Sequence, residues 1–126
     1  MKQHDIRYIA LGAFYLVVGM VLGIVMGIQQ DFALAPVHAH INLVGFAAHS
    51  VFGLVYKAWP GLKEGTAAIA QFWLFVIGSP LLMMGIAIAI KTNNSSLAIV
   101  GSILVCLGAL LFFVITAGSL LRGRMN

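Results

Sequence analysis

Three histidines and an asparagine crowd one apolar stretch: His38, His40 and Asn42 lie in Val37-His38-Ala39-His40-Ile41-Asn42-Leu43-Val44-Gly45-Phe46, and His49 follows closely. Imidazole nitrogens ligate metal ions and carry protons near neutral pH. At about 100° per residue on a helix, His38 and His40 project roughly 200° apart, so one small ion cannot readily be held by both. His49 comes back to within about 20° of the His38 face, roughly 16 Å farther along the axis. The His38 face continues through Asn42, Gly45, His49, Gly53 and Tyr56, where two glycines would let a flat group lie against the backbone. The His40 face continues through Leu43, Val44, Ala47, Val51 and Leu54, an apolar surface with small members that suits a porphyrin plane. A six-coordinate haem takes its axial nitrogens from opposite sides of the ring, so the second ligand to any one iron must come from another helix or another copy of the chain. The same divergence disfavours a closed copper or zinc site within one chain, leaving only sites where symmetric copies converge.

A single histidine near a membrane interface can simply hydrogen-bond to headgroups or water. The pair, with a third histidine and an asparagine in one span, points instead to ligation, because polar groups in hydrocarbon are costly and mark functional sites. His49 is read both ways, as a ligand or as a hydrogen-bonding partner across helices. His4, beside Asp5, is expected to be solvated.

The elements that must position these residues are membrane helices. Of the 126 residues 62% are hydrophobic and 8% charged, against roughly 25% charged in a soluble domain. The apolar runs Ile6 to Ile28, Val37 to Tyr56, Thr66 to Ile90 and Leu97 to Leu121 each reach the roughly 20 residues that a spanning helix needs. The expectation is an all-α integral membrane four-helix bundle, residues 1–126 forming one domain with helices near 6–28, 37–56, 66–90 and 97–121. Short links make successive helices antiparallel neighbours. Lys2, Arg7, Lys57, Lys63, Arg122 and Arg124 fall on one side and Lys91 on the other, which places both termini in the cytoplasm. The net charge of +4 then reflects topology and anionic headgroups rather than nucleic acid. Ala33-Leu34-Ala35 resembles a signal-peptide cleavage site, but the preceding run exceeds a signal's core and Pro36 would follow the cut, so helix one is expected to be retained.

Gly12, Gly19, Gly23 and Gly27 put small residues at fourfold spacing for close helix approach. Gly78-Ser79-Pro80 predicts a kink in helix three, with Ser79 satisfying a freed carbonyl. Met83 and Met84 read as core filling, and Cys106, the single cysteine, as a packing residue.

His38-Ala39-His40-Ile41-Asn42-Leu43-Val44-Gly45-Phe46, Phe52-Gly53-Leu54-Val55-Tyr56, Gln71-Phe72-Trp73-Leu74 and Ile77-Gly78-Ser79-Pro80 together resemble short proteins related to subunit I of haem-copper oxidases. The resemblance implies one four-helix arc of a twelve-helix arrangement, with His40 as axial ligand to haem b and His38 serving a neighbouring haem or the opposite axial position. A homotrimer with haems between protomers would rebuild the twelve helices. The family's copper centre needs three further histidines, which this sequence lacks, so oxygen reduction lacks its parts. In many relatives a histidine stands where this chain has Gln71, which could instead hydrogen-bond a ligand or a propionate.

The functional expectation is therefore a b-type haem protein of a bacterial inner membrane, with cofactor-binding residues His38, His40, Asn42 and His49, suited to electron transfer or gas sensing rather than catalysis. The alternative is a cofactor-free structural or assembly subunit of a respiratory complex. A small transporter is disfavoured because no span carries a carboxylate.

Overall fold

The computed structural model describes residues 3–123, all of them in helices or the turns that join them. Four helices are long and apolar enough to cross a membrane: α1 (His4–Gln29), α2 (Ala35–Ala58), α3 (Thr66–Thr92) and α4 (Ser96–Leu121). The protein is thus an all-α chain with the helix content of an integral membrane protein. Lys2 and Arg124, two of the charges used to orient it, lie outside the described residues.

Polar residues and prolines mark the links between the helices. Gln30 turns left-handed (φ 52°) after α1, and the Asp31 carboxylate accepts the Ala33 N–H at 3.0 Å before Pro36 enters the first turn of α2. Proline fits there because that N–H has no intrahelical partner. Pro60 closes α2 and opens a short 3₁₀ turn, Pro60–Lys63; Asn93 (φ 56°) ends α3, and Asn94 Oδ1 accepts the Ser96 N–H at 3.0 Å as α4 begins.

The helices pack as two hairpins, α1 on α2 and α3 on α4. Lipid gives no hydrophobic drive for association, so close van der Waals contact must hold each pair. On α1, Gly12 faces Ser50, Gly19 faces Asn42 and Gly23 faces His38; on α2, Gly45 lies under the Tyr15 ring and Gly53 under Ile9. Gly45 is thus met by a side chain of α1, and Gly53 by the Ile9 side chain together with the α1 backbone at Asp5 and Ile9. Gly27 has nothing within 4 Å and takes no part, contrary to the expected four-glycine seam. The α3–α4 seam is tighter still, with Gly85 on the Ala98 backbone and Gly101 on the Leu82 backbone.

Tyr8, Phe52, Tyr56, Phe72 and Phe75 join the hairpins at the end carrying the N-terminus of α1, and Val37, Ile41 and Met83 form a smaller core toward the other end. Most of α1 and α4 is exposed apolar surface suited to lipid.

Further expectations change. Met84, read with Met83 as core filling, is 51% exposed on α3. His4 is not solvated: it is 0% exposed and stacks on Phe72, ring centroids 4.5 Å apart, because the first turn of α1 leans onto α3. Cys106 lies on the exposed side of α4 rather than in packing. The middle of α2 is a π-helix from Ile41 to Ala48, where a regular α-helix was expected. Ser79 donates to Phe75 O at 2.7 Å, not to the Val76 carbonyl that Pro80, four residues on, leaves without an N–H.

Candidate functional site

The beginning of α2 sets two histidines in different states. His40 curls back along its own helix, and its Nδ1–H donates to the Pro36 carbonyl at 2.8 Å. A carbonyl only accepts, so this bond places the proton on Nδ1 and leaves the Nε2 lone pair uncommitted. The ring is half-buried. Such a backbone bond to the far nitrogen is the usual way in which a metal-ligating imidazole is oriented.

His38 faces α1. Its Cε1 stands 3.0 Å from where a Cβ on Gly23 would lie, so a glycine there makes room for the ring. The Asn42 side-chain amide donates to His38 Nε2 at 3.1 Å and to the His38 carbonyl at 3.1 Å, while its Oδ1 lies over Gly19. The His38 ring is thereby wedged between helices with one nitrogen already engaged.

His49 lies deeper, 0% exposed, ringed by Tyr8, Tyr15 and Phe75 at centroid distances of 5.5, 5.3 and 5.0 Å. Its Nδ1–H donates to the Val44 carbonyl at 2.9 Å, five residues back on the π segment. A π-helix shifts backbone pairing by one residue, a departure common at functional positions. His49 Nε2 has no partner among the described residues. No three His, Cys, Asp or Glu side chains converge among those residues, and His38, His40 and His49 remain three separate positions.

Along the middle of α2, on the side away from α1, lies an open apolar groove of about 440 Å³. Leu43, Val44, Ala47 and Val51 of the predicted His40 face line it, together with Phe75 and residues of α4; Leu54 does not. Against a haem the fit is partial: His40 offers an uncommitted Nε2 with its tautomer held by Pro36, but no histidine lines the apolar groove, which begins farther along the same helix.

A second polar cluster escaped the sequence reading. Gln71 is 0% exposed, and its Oε1 accepts hydrogen bonds from Tyr8 at 2.8 Å and Tyr56 at 3.1 Å, tying α1, α2 and α3 together. The signal was present, since an amide within a span is itself a costly group needing partners. Gln71→Leu should strand the Tyr56 hydroxyl and leave Tyr8 only the Gln71 backbone carbonyl at 3.5 Å, destabilising the bundle by about 1–3 kcal/mol for the buried orphan. The loss should appear in a denaturant titration, and an unchanged midpoint would mean that water reaches the cluster.

Comparison with protein-family models, curated proteins and solved structures found no match to this chain.

Proposed function

We propose that this chain is a membrane b-type haem-binding protein that transfers electrons, built like one four-helix arc of haem-copper oxidase subunit I without the copper site. The observation that carries the reading is the His40 imidazole, whose Nδ1–H is held by the Pro36 carbonyl at 2.8 Å so that Nε2 is left to ligate. His38 is the second candidate ligand, available only once its Nε2 is released from the Asn42 amide N–H that it accepts at 3.1 Å, and His49 is the third. Bound haem would supply one-electron redox chemistry; the chain's own residues orient the imidazoles, exclude water and offer an apolar wall.

In this reading both termini are cytoplasmic, by the bias of Lys and Arg toward that side, so His38 and His40 stand at the outer end of α2 in a bacterial inner membrane. One chain offers His40 from one side only, so haem lies between protomers, and a homotrimer completes the ring of helices. Detergent-purified protein grown with ample haem should show a Soret band and sharp reduced α and β bands, with a pyridine haemochrome of haem b. Its haem-loaded particle should have the mass of three chains. A featureless spectrum would overturn the haem reading in favour of an assembly subunit, and a monomeric mass with haem bound would overturn the trimer alone.

A further inference from the structure

A cation without an acidic partner borders an apolar groove at the end of the bundle where α1 begins. The groove, about 390 Å³, runs between α1 and α3, with Arg7, Ala10 and Leu11 on one wall and Phe72, Trp73 and Val76 on the other. Arg7 makes no ion pair among the described residues, and the nearby Asp5 carboxylate is held by Lys63 at 2.9 Å. Trp73 is 46% exposed in the same groove. A guanidinium binds phosphate through two parallel N–H donors, and a half-exposed indole suits the level of lipid headgroups. The apolar remainder of the groove offers a bed for hydrocarbon. The groove along α2 and the one beside Pro80 contain no charged residue, so they would take hydrocarbon without regard to headgroup.

We propose that the α1–α3 groove is a site for one anionic phospholipid, its phosphodiester on Arg7 and an acyl chain against Ala10, Leu11 and Val76. Basic pockets between membrane helices select anionic headgroups in this way. The assignment is independent of haem binding.

Native mass spectrometry of the full chain in non-ionic detergent, with added phosphatidylglycerol or phosphatidylcholine of identical acyl chains, tests it. Wild type should bind the glycerol lipid about fivefold more tightly, the preference expected from one basic residue at the surface. Arg7→Gln should equalise the two lipids, Arg7→Lys should keep part of the preference, and Lys57→Gln should leave it intact. Because Arg7→Gln could fail to fold, a second measurement leaves Arg7 untouched. Trp59→Phe leaves Trp73 as the one tryptophan of the two in the chain. Brominated phosphatidylglycerol in vesicles should then quench Trp73 more than brominated phosphatidylcholine at equal mole fraction. Equal affinities in wild type, a preference surviving Arg7→Gln, or equal quenching would each overturn the proposal.

Discussion

His40→Ala should strip the purified protein of its low-spin haem spectrum, with haem content falling roughly tenfold or more, since even groups that merely orient a ligand are worth about 10–100-fold in metal affinity. Folding should survive, because His40 is half-buried and its bond runs to its own helix, and such changes usually stay near 0.5 kcal/mol. Absorbance at the Soret band, normalised to folded protein by size-exclusion chromatography, reads both quantities. Asn42→Ala should act through His38 alone, by freeing the Nε2 that accepts its amide N–H at 3.1 Å, and should leave the His40-dependent spectrum in place. A His40→Ala protein with an unaltered spectrum would remove His40 from the site and leave His38 and His49 to account for the haem.

Gly101→Val should produce the largest loss of stability, about 3 kcal/mol or more, beyond the usual 1–3 kcal/mol of overpacking. A Cβ on Gly101 would sit 2.5 Å from Leu82 Cα, and a backbone atom cannot swing aside as a side chain can. The seam must open, and α4 has little else to hold it, with 11% of its most apolar stretch buried. Gly27 and Gly118 are the internal controls, since neither has an atom within 4 Å of an added Cβ. Gly→Ala at either should be neutral or stabilise by about 0.5–1 kcal/mol through the helix preference alone. Thermal unfolding in detergent compares the variants, and equal midpoints for Gly101→Val and Gly118→Ala would show that α3 and α4 are not pressed together as described.

Much of this architecture is legible in the residues. The four helices extend the predicted apolar runs by one or two residues at most ends, because hydrocarbon admits only long apolar helices whose backbone groups pair internally. The glycines of α1 were read as a packing face, and Gly12, Gly19 and Gly23 form one. Those of α3 and α4 were not, although Gly78 and Gly85, like Gly101 and Gly108, recur at a helical spacing and meet the opposing helix. A spacing names a face without naming its partner. His4 and Cys106 were misplaced for a related reason: residue type says what burial costs, whereas position relative to a neighbouring helix decides whether burial occurs.

The sequence by itself determined the spans and the concentration of imidazoles in α2, since both follow from residue types and the length of a bilayer-crossing helix. The folded structure decided the state of each imidazole: the bonds to the ring nitrogens run within α2 and follow its register, while neighbouring helices decide what each ring packs against. His38 meets Asn42 and the Gly23 backbone, whereas His40 donates a hydrogen bond to the Pro36 carbonyl. His49 donates its own to the Val44 carbonyl of a π segment and keeps its other nitrogen in a cage of aromatic rings. Which nitrogen carries the proton depends on a carbonyl within about 3 Å, and local helix register brings that carbonyl into place.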